Sequence, residues 1–159
     1  MLGRYFERKK ELDALYRDKK VEIYDEFLKE FFNAFQNPSK DKAPTDTNDP
    51  LVKYFKEWQR KLLLWAGPEV IESYSQWMSA LRTKPVNAES FFMTERLLLA
   101  IRKDLGHSNK GIQRGIFARL VMKNADLFLS MSKTNPNIAL GELIAIENKI
   151  EEDILTSQK

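Results

Sequence analysis

Apolar residues recur at helical spacing along most of this chain. From residue 2 to about residue 36 they are separated by three, four or seven positions, which is the repeat of one face of an α-helix. The residues of this stripe are Leu12, Leu15, Tyr16, Ile23, Phe27, Phe31 and Phe35. The first half of the stripe is narrow and dense in charge, whereas the second half is broad. The pattern predicts one long first helix that begins as a projecting arm and ends buried in a bundle.

Proline and glycine predict where the later helices begin and end. The polar segment 37–48 contains two prolines and is predicted to be a mobile loop. Asp49-Pro50 predicts a helix start, and Gly67-Pro68 predicts a very short joint between two neighbouring helices. Asn87 is a candidate N-cap for the helix that follows. Later helices are predicted over about 87–105, 112–131 and 135–155, with a break at 124–126 left open.

These elements predict an all-α protein, a bundle of about six helices with a long first helix. Strand-like alternation of apolar and polar residues does not extend beyond a few positions. Residues 1–20 are predicted to form a charged helical arm, and residues 21–156 a single helical bundle domain. The chain has 159 residues, 43% of them hydrophobic, which is enough to bury one sizeable core.

The scarcity of cysteine and histidine narrows the possible chemistry. The chain has no cysteine and one histidine, which excludes disulfides, thiol catalysis and metal sites built from several histidines. Glu26 and Glu30 are four residues apart, but no Glu-x-x-His motif completes a di-iron pattern. The sequence therefore predicts no metal and no cofactor. It also contains no apolar window of about 20 residues that would cross a bilayer.

A polar turn follows the apolar run at residues 97–99 and is the candidate ligand site. Its candidate residues are Arg102, Asp104, His107, Ser108 and Asn109. Two interpretations are open, a polar pocket for a ligand or partner and a hydrogen-bonded joint between two helices. Polar turn residues commonly satisfy their own backbone, which favours the joint. No catalytic residue is predicted, because neither a Gly-x-Ser-x-Gly elbow nor a phosphate-binding loop is present.

Two residues of this turn carry structural predictions. Gly106 is placed to be a left-handed C-terminal cap. Asp104 lies in the last helical turn, where its charge meets the negative end of the helix dipole. It is therefore expected to need a cationic or donor partner, and Lys110, Arg114 or a backbone amide of the following turn would serve.

The net charge of +3 comes entirely from the first 20 residues, which contain seven basic and four acidic residues. Arg4, Arg8, Lys9 and Lys10 form the basic cluster. Such residues beside a membrane attract anionic lipid and set orientation, whereas the simpler interpretation is a solvated helix face. Nucleic acid ranks lowest as a partner, because the arm also carries acids and the rest of the chain is neutral.

Several segments resemble a set of uncharacterised bacterial proteins. They are residues 3–11 (GRYFERKKE), 19–27 (KKVEIYDEF) and 98–111, especially 102–109 (RKDLGHSN), with 58–65 fitting the middle helix between them. In those proteins a similar helix directly follows an amino-terminal transmembrane segment. The resemblance implies a helical cytoplasmic domain that is usually tethered to the membrane. This chain departs from the pattern by lacking the span.

The leading hypothesis is a non-enzymatic interaction or scaffolding domain on the cytoplasmic side of a bacterial membrane, tethered to the inner membrane in the full-length protein. Its expected partners are an anionic membrane surface and a second copy that pairs through the first helix. The alternative is a small ligand-binding or enzymatic module that uses the turn from Arg102 to Asn109.

Overall fold

The computed structural model describes residues 2–36, 50–83 and 87–138, and also 141–142, 145–146 and 148–149. Within these residues there are six helices and no sheet, so the predicted all-α fold with a long first helix is confirmed. The helices are α1 (Leu2–Gln36), α2 (Pro50–Trp65), α3 (Pro68–Thr83), α4 (Ala88–Asp104), α5 (Ile116–Val121) and α6 (Ala125–Thr134). The predicted loop 37–48 and the end of the predicted last helix lie outside the described residues.

The predicted fifth helix, residues 112–131, is divided into α5 and α6. Its predicted start at Ile112 is wrong, because α5 begins at Ile116. Gly115, directly before α5, has a φ of 90°, a left-handed conformation that a right-handed helix cannot contain. The break that the sequence left open lies just ahead of α6, which begins at Ala125 with Asn124 as its N-cap residue.

The fold divides into two compact units. The first unit contains Met1–Ile71 and Asp104–Gly106, and the second contains Glu72–Lys103 and His107–Lys159. The predicted boundary between arm and bundle, after residue 20, lies inside α1, which continues through it without interruption. No helix of the described residues combines the length and the apolar character needed to cross a bilayer.

The first unit is built on antiparallel packing of α1 and α2. Phe27 and Trp58 stack with their ring centroids 4.1 Å apart, and the Trp58 indole donates a hydrogen bond to the Ile23 carbonyl at 3.2 Å. Further towards the start of α1, Tyr16 packs on Trp65 with a centroid distance of 5.6 Å. Residues later in α2 contact residues earlier in α1, so the two helices run antiparallel.

The second unit is built around aromatic rings from α4, α5 and α6. The centroid of the Phe91 ring lies 4.8 Å from that of Phe117 and 5.0 Å from that of Phe128. All three side chains are buried. The Trp77 indole of α3 donates to the Thr94 hydroxyl at 2.9 Å, so this buried polar atom is satisfied as burial requires.

The start of α4 confirms the predicted N-cap. The Asn87 side chain accepts from the Ser90 amide, and the Ser90 hydroxyl accepts from the Asn87 amide, both at 2.9 Å. This reciprocal arrangement is a capping box. The amides of Ala88 and Glu89 donate to the carbonyls of Ile138 and Pro136, each at 3.1 Å. The first three amides of α4 are therefore all engaged.

Candidate functional site

The end of α4 is closed by the cap that the sequence predicted. Gly106 has a φ of 88°, in the left-handed region. The His107 amide donates to the Arg102 carbonyl at 3.0 Å, which is the long bond of a Schellman motif. The turn after α4 is therefore fixed by backbone geometry.

Asp104 makes three hydrogen bonds within the first unit. Its carboxylate accepts from the Lys20 ammonium at 2.9 Å, the Tyr24 hydroxyl at 2.5 Å and the Gly67 amide at 3.2 Å. The expectation that Asp104 needs cationic or donor partners is confirmed. The expected identities are wrong, because the partners come from α1 and from the joint between α2 and α3. Of the residues suggested, Arg114 lies over the ring of Phe92, 4.0 Å from its centroid.

These contacts shift the ionisation of both acidic groups. Burial raises the pKa of the Tyr24 hydroxyl, and its hydrogen bond to the Asp104 carboxylate raises it further. Burial also acts to raise the pKa of Asp104. The hydrogen bonds from Tyr24, Lys20 and Gly67 outweigh burial, however, and hold that pKa below its usual value. Tyr24 therefore stays protonated as a donor while Asp104 stays ionised as the acceptor.

Close approach of Asp104 to the backbone depends on Gly67. A Cβ atom at this position would clash with the Asp104 carboxylate. Glycine therefore leaves the space through which the carboxylate reaches the Gly67 amide. Three hydrogen bonds join Asp104 to Lys20, Tyr24 and Gly67, and we call this cluster of four residues the anchor.

The remaining residues of the turn mainly satisfy the backbone. The Asn109 amide group donates to the Leu99 carbonyl at 2.8 Å, and the Ser108 hydroxyl accepts from the Lys110 amide at 3.1 Å. The side chains of Arg102 and His107 are exposed. This geometry supports the joint over the pocket. The ligand-binding role of these residues stays a prediction.

Glu95 is a buried carboxylate that was not among the residues predicted from the sequence. Its side chain is 4% exposed, and its two oxygens accept from the Gly115 and Phe117 amides, each at 2.9 Å. It therefore engages two amides at the start of α5. A signal was present in the sequence, because Glu95 interrupts the apolar face that Phe91 and Leu98 define at helical spacing.

The arm presents an uncovered continuation of the α1 core stripe. All residues from 3 to 18 are exposed. Because successive helical residues are rotated by about 100°, Tyr5, Leu12 and Tyr16 lie on the same line as the buried Ile23 and Phe27. Tyr5 is 66% exposed, and Leu12 and Tyr16 are each 54% exposed. The apolar face that packs on α2 therefore runs on past the end of α2.

Charges are ordered around this stripe. The same rotation places Arg8 on one border of the stripe and Lys9 on the other, with Arg4 and Lys10 further round. Three of the four acidic residues lie together on the opposite side of the helix. They are Glu7, Glu11 and Asp18. The structure thus places two residues of the predicted basic cluster, Arg8 and Lys9, at the edges of an exposed apolar stripe, whereas Arg4 and Lys10 lie further from it.

The second unit contains a cavity. Its volume is about 330 Å³, and its lining includes Asn87, Ser90 and Met93. The polar side chains of Asn87 and Ser90 are already used in the α4 capping box. Among the described residues, no group of three or more His, Asp or Glu side chains could hold a metal ion.

Comparisons with protein-family models, curated proteins and solved structures found no match to this chain. The resemblance to membrane-tethered bacterial proteins therefore stays a prediction.

Proposed function

We propose that this chain is a membrane-proximal interaction domain whose arm, residues 1–20, lies on an anionic membrane surface on the cytoplasmic side of a bacterial membrane. The observation that carries the proposal is the exposed stripe of Tyr5, Leu12 and Tyr16 with basic residues at its edges. A helix of this kind inserts its apolar face at the boundary between headgroups and acyl chains.

The stripe distinguishes this proposal from a merely solvated helix face. A solvated face needs charge, but it does not need large exposed apolar side chains. Five such side chains of the arm are more than half exposed. They are Tyr5, Leu12 and Tyr16 of the stripe, with Phe6 and Leu15 on either side of it. Contiguous exposed apolar surface rimmed by polar residues is typical of an interaction site.

The arrangement of charge favours lipid as the partner. Basic side chains at the edges of the stripe reach the headgroups when the stripe is inserted. The acidic face formed by Glu7, Glu11 and Asp18 then points away from the anionic surface. Three of the four acidic residues that argued against nucleic acid therefore point away from the lipid in this orientation.

Flotation with lipid vesicles tests the proposal. The chain is expected to float with vesicles that contain both phosphatidylcholine and phosphatidylserine. With vesicles of phosphatidylcholine alone it should remain in the bottom fraction of the gradient. The variant R4Q/R8Q/K9Q/K10Q should bind the anionic vesicles roughly 100-fold more weakly, since each Lys or Arg near such a surface adds several-fold to the affinity.

The control is R102Q/K110Q/K133Q/K149Q, which removes the same charge from exposed positions elsewhere. This control should bind like the wild type. Equal binding by the two quadruple variants would show that net charge, and not the arm, is responsible.

Pairing with a second copy is a second candidate, favoured by one observation. Residues 4–10 carry a net charge of +3, and residues 11–18 a net charge of −2. Two arms aligned antiparallel would place these halves against each other. Light scattering without lipid tests this pairing, and a monomer at high protein concentration would rule out a stable pair.

A further inference from the structure

The outer side of α2 carries an exposed face that is separate from the arm. Its members lie within roughly 100° of arc on the side opposite the buried Trp58. They are Lys53, Lys56, Arg60, Leu63 and Leu64, and all five are exposed. Leu63 is 73% exposed and Leu64 is 70% exposed. We call this set the α2 outer face.

The α2 outer face is chemically ordered along the helix. Its three basic residues come first and its two leucines occupy the last turns, next to Trp65. Glu57, the single acidic residue of α2, lies at the border of this face. The face therefore combines positive charge with apolar side chains, as the arm does.

The α2 outer face points in the same direction as the arm stripe. On α1, Tyr16 and Ile23 face α2, and Tyr5 continues that line beyond the end of α2. The α2 outer face is the side of α2 turned away from α1. The arm stripe and the α2 outer face therefore point in the same direction. The α2 outer face lies further from the axis of α1 by about the thickness of one helix.

The dimensions of the two helices allow one flat surface to contact the arm stripe and the α2 outer face together. The arm from Tyr16 back to Tyr5 spans about 16 Å, and α2 adds a step of about 8–10 Å. A plane that touches the end of α2 and the start of the arm is therefore inclined by roughly 30° to α1. In that orientation Leu63 and Leu64 meet the plane. Lys53 lies about 8 Å behind it, which is one Debye length at physiological ionic strength.

We propose that the α2 outer face is a second contact with the same anionic bilayer, with Leu63 and Leu64 inserted and Lys53, Lys56 and Arg60 attracted to the headgroups. This inference rests on the proposed membrane role of the arm. The two contacts together hold α1 at an inclination to the membrane, with the start of the arm closer to the bilayer than Tyr16, because α2 packs on the same side of α1 as the stripe.

Two vesicle experiments test the proposal. The variant L63S/L64S is expected to bind phosphatidylserine-containing vesicles about tenfold more weakly than the wild type, because two partly inserted leucines are lost. Leu120, which is 74% exposed in the second unit, provides the control. L120S should bind like the wild type, and equal binding by L63S/L64S would overturn the proposal.

The absence of cysteine allows the contact to be located directly. An environment-sensitive dye attached to Leu64→Cys should shift its emission to the blue on anionic vesicles, and the same dye on Leu120→Cys should not. No shift at position 64, on vesicles that bind the protein, would overturn the proposal even if L63S/L64S were poorly folded.

The outcomes separate this inference from the role of the arm. Full binding by L63S/L64S together with weak binding by R4Q/R8Q/K9Q/K10Q would refute the second contact and keep the arm. The reverse pattern would refute the arm and keep the α2 outer face. Conversion of a dimer into a monomer by L63S/L64S, with vesicle binding unchanged, would show that a second copy covers this face and would overturn the proposal.

Discussion

Replacing Glu95 by alanine tests whether this buried carboxylate holds the start of α5. The substitution removes both acceptors and leaves the amides of Gly115 and Phe117 without them in a buried site. A hydrogen bond to a charged group contributes about 1.5–3 kcal/mol, and unsatisfied buried amides add their own penalty. Some relaxation and entry of water will offset part of this loss. We therefore expect the free energy of unfolding to fall by about 2–4 kcal/mol.

Urea unfolding followed by circular dichroism measures this loss, and Glu57→Ala is the matched control. Glu57 is also within a helix but is exposed, so its removal should leave the unfolding midpoint nearly unchanged. Amide hydrogen exchange gives a local measurement that does not depend on the unfolding model. Protection of the Gly115 and Phe117 amides should be lost in Glu95→Ala and kept in Glu57→Ala. Equal midpoints and equal protection in the two variants would refute the reasoning.

Two further substitutions test the anchor and the cap at the end of α4. Because the pKa of Asp104 is lowered in the folded state, its contribution to stability is present above its unfolded pKa of about 4 and is lost as the pH falls through the folded value. Asp104→Asn should therefore lower the free energy of unfolding at neutral pH by about 1–2 kcal/mol. The urea unfolding midpoint of this variant should also decrease less than that of the wild type as the pH is lowered below about 4. The same decrease in both proteins would contradict a stabilising role for the ionised Asp104. Gly106→Ala should cost about 1 kcal/mol, because its φ of 88° is strained for alanine. The control Gly3→Ala, at an exposed helical position with open space around it, should not destabilise, and similar midpoints for the two alanine variants would argue against the cap.

Local sequence signals predicted the features that depend on neighbouring residues. The Asn87 cap needs only a side chain that can reach an amide three residues on, and the Gly106 cap needs only a residue that tolerates positive φ. Both depend on a few consecutive residues, so both could be read from the sequence. The same is true of the short joint at Gly67-Pro68.

Features set by tertiary packing could not be predicted in this way. The position of Asp104 in the last turn of a helix indicated that it needs a partner. Its partners Lys20 and Tyr24, however, lie 84 and 80 residues earlier in the chain. Nothing near Asp104 in the sequence indicates which part of α1 it meets. Lys110 and Arg114 were nearer in sequence, yet proximity along the chain did not decide the contact.

The start of α5 shows the same limit. Ile112 continues an apolar pattern, so periodicity alone extended the helix back to it. The left-handed conformation of Gly115 and the two hydrogen bonds to Glu95 place the start at Ile116 instead. A Cβ atom at Gly115 would also clash with Leu129, which is a contact that no local pattern shows.

The arm was recognised from its charge, but its chemical order was seen only with the helix in place. The charge count showed that the basic excess lies in the first 20 residues. It did not show that α2 ends at Trp65 beside Tyr16 and leaves the stripe beyond that point uncovered. The arm is a candidate membrane contact because it combines this uncovered apolar stripe with basic residues.

The salt dependence of vesicle binding tests the central claim most directly. Between about 10 mM and 1 M salt the Debye length falls from about 30 Å to 3 Å. Binding of the wild type to phosphatidylserine-containing vesicles should weaken at least tenfold across this range, whereas R4Q/R8Q/K9Q/K10Q should bind weakly throughout with a much shallower slope. Equal binding of the two proteins, with no response to salt, would contradict the account.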